Sequence, residues 1–198
     1  MIQETYNLLC NTKSDINEHL PTLYKYACMC DHITEFGVRG AVSTWAFLAA
    51  KPKVLKSYDF CWYEGVQKAI DASHDSNTEF EFKKVNVLGT TIEQTDMLFI
   101  DTFHHPLQLK RELQRHCDKV NKYIILHDTQ THKRVNEKLW PDERNALSRE
   151  EATKFDIYPD TGIHHVIIEF LYNHKQWFLL EVYSNNNGLT ILEKDAPR

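Results

Sequence analysis

Short apolar runs that alternate with segments of helical periodicity constrain the fold of this 198-residue chain more than any other feature of its sequence. The apolar runs have the length of buried strands, and the segments between them repeat apolar residues at the spacing of an amphipathic helix. This alternation predicts an α/β fold. We expect strands at 32–36, 54–58, 79–87, 97–100 and 123–126, and helices at 41–50, at 61–73 and after Pro106.

Both ends of the chain add elements to this core. Residues 14–18 have the spacing of a capping box and precede apolar residues at helical spacing, so we expect a leading helix at about 14–30. Pro21 offers a later start for the same helix. We expect the chain to close in a hairpin, 176–183 and 189–193, around an Asn-rich turn. A closing antiparallel hairpin is not typical of an ordinary dinucleotide-binding domain.

Composition excludes several classes of protein. With 42% apolar and 26% charged residues, the chain fits one globular domain over residues 1–198. A net charge of -5 and scattered basic residues give no general attraction to nucleic acid or to an anionic membrane. No apolar stretch could cross a bilayer and no signal peptide is visible, so we expect a cytoplasmic protein. Five cysteines without a CxxC pair fit reduced thiols.

Residues 34–44 run from a strand through a glycine-bearing turn into the start of a helix. Backbone can approach a ligand closely at such a turn, and the free N–H groups of the helix start point at the ligand. We therefore consider Glu35, Gly37, Gly40 and Ser43 as candidate cofactor-binding residues, with a purely structural turn as the alternative. The turn lacks GxGxxG, which counts against NAD and FAD because their pyrophosphate needs the second glycine.

An acidic residue ends the next strand. Asp59 follows the turn by some 20 residues, which is where a carboxylate would accept hydrogen bonds from both hydroxyls of a ribose. The alternative is that Asp59 caps the helix that starts near Cys61. Because the glycine turn precedes it, we favour the ribose.

These segments together resemble class I S-adenosylmethionine-dependent methyltransferases, and among them the branch of cephalosporin hydroxylase and macrocin O-methyltransferase. The resemblance covers nearly the whole chain and is carried by residues 16–20, 35–37, 57–59, 99–101, 127–129 and the Asn-rich hairpin. It implies a seven-stranded sheet of order 3-2-1-4-5-7-6 with an antiparallel last strand and helices on both faces.

The resemblance also implies roles for single residues. Glu35 and Gly37 would line the methionine end of S-adenosylmethionine, Asp59 would bind its ribose, and Asn86 would lie beside its adenine. This chain departs from the pattern at Ala41, where relatives place glycine, so the turn is expected to be redrawn.

A second group of polar side chains follows the two central strands. Asp101 and His104 come after one strand, and His127 and Asp128 close the next. The carboxyl ends of parallel strands converge on the ligand crevice, so these side chains are expected to meet. Hard oxygen ligands with imidazole nearby suit Mg²⁺ or Mn²⁺. Relatives such as catechol O-methyltransferase imply Asp101 and Asp128 as its ligands, with Thr129 replacing an amide ligand.

The alternative is that these carboxylates cap helices and hold the amine of the cofactor, which makes Asp101 a cofactor-binding candidate. His104 or His127 is the expected general base, because a histidine pKa near 6.5 suits proton removal near neutral pH. Asp128 is counted with them among the catalytic candidates. The other histidines that the helices and loops carry are expected at surfaces or helix ends: His105, His116, His132, His164, His165 and His174.

We therefore predict S-adenosylmethionine-dependent methyl transfer to an oxygen nucleophile of a small molecule or sugar, by a chain that could form homo-oligomers. Two alternatives stay open. A NAD(P)-linked oxidoreductase would share the strand, turn, helix and acidic residue. A nucleotide- or metal-binding accessory protein would keep the fold without the chemistry, and the changed turn at Ala41 supports it.

The polar segment 130–161 is longer than the usual connection, and we predict that it is an irregular lid over the acceptor. Trp140 could pack on a sugar or aromatic ring, and Arg134 and Arg144 could pair with anionic substituents. The alternative is a surface excursion in which Trp140 is buried as an anchor or used in a subunit contact.

Overall fold

The structure is a computed structural model that describes residues 1–141 and 147–195. Within these residues seven strands form one sheet of order β3-β2-β1-β4-β5-β7-β6. Neighbours among β1 to β5 are parallel, and β7 is antiparallel to both β5 and β6. This confirms the α/β fold and the expected strand order. The strands are β1 (His32–Phe36), β2 (Val54–Asp59), β3 (Glu79–Lys84), β4 (Thr95–Ile100), β5 (Val120–His127), β6 (Trp177–Tyr183) and β7 (Leu189–Lys194).

Helices pack on both faces of the sheet and bury its apolar strands. The helices are α1 (Ile2–Asn11), α2 (Leu20–Ala27), α3 (Val42–Ala50), α4 (Glu64–Ser73), α5 (Pro106–His116), α6 (Arg149–Asp156) and α7 (His164–Asn173). One buried cluster joins α1 to α4 to one face, and another joins α5 and α7 to the other face. None of the described helices is long and apolar enough to cross a bilayer.

The strand β5 shows why the apolar runs are continuous instead of alternating. Tyr123 and Ile125 belong to one buried cluster, while Ile124 and Leu126 belong to the other. A strand that is covered on both faces needs apolar residues at every position. It therefore lies inside the sheet and carries its terminal residue, His127, to the carboxyl edge.

The N-terminal region differs from the expected leading helix at 14–30. A 3₁₀ turn covers Asn17–His19, and α2 begins only at Leu20 with Pro21 in its first turn, so the later start is the correct one. The helix α1 was not expected. Only Tyr6 in it is fully buried, and Leu8 is exposed, so its sequence lacks a continuous apolar face.

The segment 130–161 is not irregular throughout. Ser148 accepts a hydrogen bond from the Glu151 backbone N–H and caps α6. Ala152 and Phe155 bury the inner side of this helix, which is too short and too charged to show a clear helical period. The expectation of an irregular connection is therefore wrong for this part of the segment.

Candidate active site

The glycine turn after β1 has a backbone path that needs three left-handed residues. Gly37, Arg39 and Ala41 all have positive φ, and α3 begins directly after Ala41. A Cβ atom at Gly37 would overlap the carbonyl oxygen of Asp101, so glycine is required where β1 and β4 end side by side. Ala41 occupies a left-handed position that glycine fills without strain. The turn thus keeps β1 close to β4 with an alanine in the left-handed position, and whether it differs from the turn of relatives stays a prediction.

Asp59 binds the backbone of this turn. Its Oδ2 atom accepts hydrogen bonds from the N–H groups of Val38 at 2.8 Å and Arg39 at 3.0 Å. Its Oδ1 atom accepts one from the N–H of Cys61 at 2.9 Å. Because α4 begins at Glu64, the alternative that Asp59 caps this helix is wrong. A carboxylate has about four acceptor sites, so one remains for a ligand hydroxyl instead of the two that the ribose prediction required.

Glu35 lies beneath the turn and has no exposed surface. Its carboxylate accepts hydrogen bonds from the hydroxyls of Ser43 at 2.5 Å, Thr44 at 2.9 Å and Ser57 at 2.5 Å. Burial raises the pKa of Glu35 to about 7, although these three hydrogen bonds oppose the shift. The side chains of Glu35 and Ser43 thus hold β1, β2 and α3 together, and direct contact of either with a cofactor stays a prediction.

Gly40 and Asn86 lie at the exposed rim of the crevice. The carbonyl of Gly40 faces Gly65 of α4 so closely that a Cβ atom there would overlap it. Asn86 follows β3, and its Oδ1 atom accepts a hydrogen bond from the backbone N–H of Leu88 at 2.9 Å. Its amide nitrogen is therefore the group left for an adenine, as the resemblance implies.

The four polar residues expected after β4 and β5 meet at one point. The Nδ1 atom of His127 lies 3.1 Å from Oδ1 of Asp101, and Nε2 of His104 lies 3.3 Å from the same oxygen. The Nε2 atom of His104 is also 3.5 Å from Oδ2 of Asp128. Two carboxylates and two imidazoles therefore share the carboxyl edge of the sheet.

Charge within this cluster favours protonated histidines. Burial lowers the pKa of His104, but hydrogen bonds to Asp101 and Glu137 outweigh it and raise the pKa to about 10. Burial likewise opposes the charge on His127, yet the attraction of Asp101 raises its pKa above the usual range. The two rings in turn hold the pKa of Asp101 well below normal despite its burial. Each histidine therefore keeps its proton while Asp101 remains ionised.

His132 and Glu137 join this cluster, and sequence analysis missed both. The Oε2 atom of Glu137 lies 2.9 Å from Nδ1 of His104 and accepts a hydrogen bond from the His104 backbone N–H at 2.8 Å. The ring of His132 stacks on that of His104, with centroids 5.0 Å apart and planes 5° from parallel. His132 was expected at a surface or helix end.

A turn after β5 explains how His132 reaches the cluster. Asp128 has a positive φ, a conformation that Asp tolerates better than most residues, and its carbonyl accepts a hydrogen bond from the His132 N–H at 3.0 Å. The turn folds the chain back over the end of the sheet. An aspartate directly after a strand, a residue type that tolerates the left-handed conformation, is the signal in the sequence that could have placed His132 here.

Two other histidines, expected at surfaces or helix ends, are buried. His105 caps α5, since its Nδ1 atom accepts a hydrogen bond from the Leu107 N–H, and His116 ends α5 with Nε2 3.0 Å from the carbonyl oxygen of Val87. Both lie at helix ends, but neither lies on the surface.

Glu112 of α5 is a second buried carboxyl near the cluster. It lines a small pocket together with His104 and His127. Its Oε1 atom accepts hydrogen bonds from Thr102 and Gln108, while its buried Oε2 atom has no hydrogen-bond partner among residues 1–141 and 147–195. Burial raises the pKa of Glu112 to about 7.

The N-terminal segment 14–19, here called the strap, crosses the glycine turn to the Asn-rich hairpin. Asp15 forms an ion pair with Arg39 of the turn. The Nε2 atom of buried His19 lies 3.0 Å from the carbonyl oxygens of both Asn185 and Asn186, and its ring centroid is 5.7 Å from that of His127. The strap thus covers the edge of the sheet where the crevice opens.

The expected acceptor lid is described only in part. Trp140 is 63% exposed, so the alternative that it is buried as an anchor is wrong. Its indole N–H donates a hydrogen bond to Oε1 of Glu137 at 2.9 Å, which ties it to the cluster. Arg134 is exposed, and Arg144 lies outside the described residues.

Comparison with known proteins identifies the fold and nothing finer. No family model matches the chain, and no curated protein matches it. Solved methyltransferases match over most of its length. N-methyltransferase NodS from Bradyrhizobium japonicum WM9, solved with S-adenosyl-L-homocysteine, matches with a TM-score of 0.60 at 11% identity over 98% of this chain and 99% of that chain.

Two further structures agree with this assignment. Magnesium protoporphyrin IX methyltransferase from Synechocystis PCC 6803, with bound S-adenosylhomocysteine, has a TM-score of 0.59 at 11% identity over 98% of this chain and 93% of that one. The O-methyltransferase TomG from Streptomyces achromogenes, in complex with S-adenosylmethionine, has a TM-score of 0.57 at 15% identity over 93% and 82%. The chain has the class I methyltransferase fold.

Proposed function

We propose that this chain transfers the methyl group of S-adenosylmethionine to an oxygen nucleophile of a small molecule or sugar. The observation that carries the proposal is the meeting of Asp101, His104, His127 and Asp128 beside the glycine turn of this fold. Acid and base groups at this edge of the sheet suit deprotonation of an acceptor hydroxyl. Solved structures with the same fold include O- and N-methyltransferases, and the cluster of proton-accepting groups favours oxygen.

The residues of the crevice fit this cofactor. Asp59 keeps one acceptor site for a ribose hydroxyl, Asn86 leaves its amide nitrogen at the rim, and Gly37 and Gly40 bring backbone close to the same space. If no cation binds Asp101, its carboxylate would hold the amine of the methionine end, above the support provided by Glu35 and Ser43. S-adenosylmethionine supplies the electrophilic methyl group when it binds.

The raised pKa values of His104 and His127 set the condition under which either residue can act as a base. His104 or His127 accepts a proton from the acceptor only after it has lost its own, and the negative charge of Asp101 and Asp128 keeps that proton in place. Neutralising this charge lowers the pKa of both rings toward the usual range near 6.5.

A divalent cation, Mg²⁺ or Mn²⁺, would supply that neutralisation and would polarise the acceptor hydroxyl. Asp101, His127 and Asp128 offer ligand atoms within 4.8 Å of one another, so they are the residues that would hold it. Exhaustive chelation is expected to abolish methyl transfer. Full transfer by the chelated protein would remove the cation from the proposal and leave His104 or His127 as a direct base.

Calorimetry with S-adenosylmethionine, S-adenosylhomocysteine and NAD in parallel separates the candidate functions. A methyltransferase binds both sulfur forms and turns over, an oxidoreductase binds NAD, and an accessory protein binds a ligand without turnover. Asp59→Ala should weaken S-adenosylhomocysteine binding at least about tenfold, or 1.4 kcal/mol. Asp71→Ala, on the exposed side of α4, is the matched control. Unchanged affinity in a folded Asp59→Ala variant would contradict the ribose assignment.

A further inference from the structure

A second group of ligand atoms lies beside the one already described. His104, Asp128 and His132 offer atoms that all lie within 4.8 Å of one another. We infer that these three side chains bind a divalent transition-metal ion such as Zn²⁺ or Co²⁺. This site extends the proposed function, because it shares Asp128 with the group of Asp101, His127 and Asp128. Its ion binding does not depend on methyl transfer.

The two oxygens of Asp128 separate the two groups. Its Oδ1 atom lies 3.5 Å from Nδ1 of His127, whereas its Oδ2 atom lies 3.5 Å from Nε2 of His104. A carboxylate can bridge neighbouring positions in this way. The site with His104 and His132 therefore adjoins the group of Asp101 and His127, since Nε2 of His104 also lies 3.3 Å from Oδ1 of Asp101.

His104 is oriented as a metal ligand. Its Nδ1 atom is hydrogen-bonded to the carboxylate of Glu137 at 2.9 Å, and its buried Nε2 atom lies 3.3 Å from Oδ1 of Asp101 and 3.5 Å from Oδ2 of Asp128. Histidines that bind metals almost always donate their other ring N–H to a carboxylate or a carbonyl, which fixes the tautomer and the ring orientation. The hydrogen bond to Glu137 therefore orients Nε2 toward Asp128, where a bound ion would displace the proton that Nε2 carries in the metal-free protein.

His132 repeats this arrangement with a backbone partner. Its Nδ1 atom lies 3.4 Å from the carbonyl oxygen of Val135, which leaves Nε2 for an ion. The turn that starts at Asp128 holds the ring parallel to that of His104. Each histidine thus has Nδ1 next to an acceptor oxygen, which leaves Nε2 as the nitrogen that would bind an ion.

The donor set selects the class of ion. Two imidazole nitrogens and one carboxylate oxygen suit Zn²⁺, Fe²⁺ and Co²⁺, whereas Mg²⁺ prefers oxygen ligands and retained water. Three protein ligands also leave coordination positions open for water or for a ligand hydroxyl. The site therefore differs in metal preference from the oxygen-rich pair of Asp101 and Asp128.

Metal titration of the purified full chain tests this inference. After chelation and dialysis, Zn²⁺ and Mg²⁺ binding are measured by calorimetry, and Co²⁺ binding by its visible absorption, all without cofactor or acceptor. We expect one Zn²⁺ or Co²⁺ per chain, and much weaker binding of Mg²⁺. Tighter binding of Mg²⁺ than of Zn²⁺ would overturn the inference.

Single substitutions locate the ion. His132→Ala should weaken Zn²⁺ binding at least about tenfold, or 1.4 kcal/mol, and Glu137→Gln by about 10–100-fold through the orientation of His104. His74→Ala, on the exposed end of α4, is the matched control. Asp101→Asn should change the affinity less than about tenfold. If Asp101→Asn lowered the Zn²⁺ affinity and His132→Ala did not, the ion would lie between Asp101, His127 and Asp128, and the inference would be refuted.

The same samples keep this test separate from that of the proposed function. His132→Gln provides a second variant if His132→Ala does not fold, because its amide keeps a polar group in the turn. S-adenosylhomocysteine affinity is measured on each metal-free protein. Absence of cofactor binding with intact Zn²⁺ binding refutes the methyltransferase proposal alone, and the reverse result refutes this inference alone.

Discussion

A side chain has no room at Gly37, because the carbonyl oxygen of Asp101 occupies the space that a Cβ atom would need. The positive φ of Gly37 adds strain for any other residue. We expect Gly37→Ala to lower the free energy of unfolding by about 2–4 kcal/mol. Gly89→Ala is the matched control, since no atom of the part of the chain that the structure describes lies within 4 Å of its Cβ position. Chemical denaturation of both variants checks this, and equal losses would contradict the steric explanation.

Residues at strand ends were predictable, whereas residues in turns were not. Asp101, His104, His127 and Asp128 follow neighbouring buried strands, and topology alone brings such positions together. His132 and Glu137 reach the same point through a left-handed turn and a long polar connection, whose path depends on tertiary contacts. The position of Asp59 at the end of β2 was predictable from the sequence, but its hydrogen bonds to the glycine turn were not.

The helix α5 carries Glu112 into the interior, and this gives the protein a pH-dependent term in its stability. Burial raises the pKa of Glu112 to about 7 in the folded state, against about 4.3 in an unfolded chain. The stability that the neutral carboxyl contributes is present below the unfolded pKa and is lost as pH rises through the folded pKa.

Glu112→Gln removes this titration. We expect the free energy of unfolding of Glu112→Gln, relative to the unmodified chain, to rise by on the order of 1–3 kcal/mol between pH 4.5 and pH 8. Taking the difference cancels the titration of Asp101, His104, His127 and Glu137. Urea denaturation across this pH range measures it, and a difference that stays flat with pH would show that Glu112 is not buried as a neutral acid.

The segment before α6 brings Trp140 next to the cluster through Glu137. An exposed indole at this place is suited to packing on a sugar or aromatic acceptor. Trp140→Ala should therefore lower methyl transfer at least about tenfold while sparing cofactor affinity. Tyr172→Ala, an equally exposed aromatic on α7, is the control. An equal loss of cofactor affinity would show that the segment supports the cofactor or the fold instead.

At the level of elements, apolar periodicity predicted the strands well and the short amphipathic helices poorly. The central strands β4 and β5 are buried on both faces, so their apolar runs are unmistakable. The helices α1 and α6 bury few residues and have charged or polar sequences. Their position depends on packing against the rest of the chain, which a local pattern does not record.

The two ends of the molecule are joined across the crevice. Asn186 accepts a hydrogen bond from the Glu18 N–H at 3.1 Å and donates one to the carbonyl of Ser14 at 2.9 Å. Asn186→Ala removes both, and its positive φ disfavours alanine. We expect faster proteolysis within the strap, with little change at the central strands, in limited digestion followed by mass spectrometry. Gln67→Ala, at an exposed position of α4, is the control. Equal cleavage rates in the two variants would contradict the role of Asn186 in holding the strap.

The order of the sheet matters for a chain that is made from one end to the other. While the ribosome is still adding the hairpin, β5 has one edge with unpaired backbone groups, since β7 is its partner on that side. The open edge of the strand that ends in His127 is thus paired only after nearly all the described residues have been synthesised. Translation that stops before β6 and β7 therefore leaves a sheet in which β5 is an unpaired edge strand. We expect quality-control proteases and chaperones to act on this incomplete chain first.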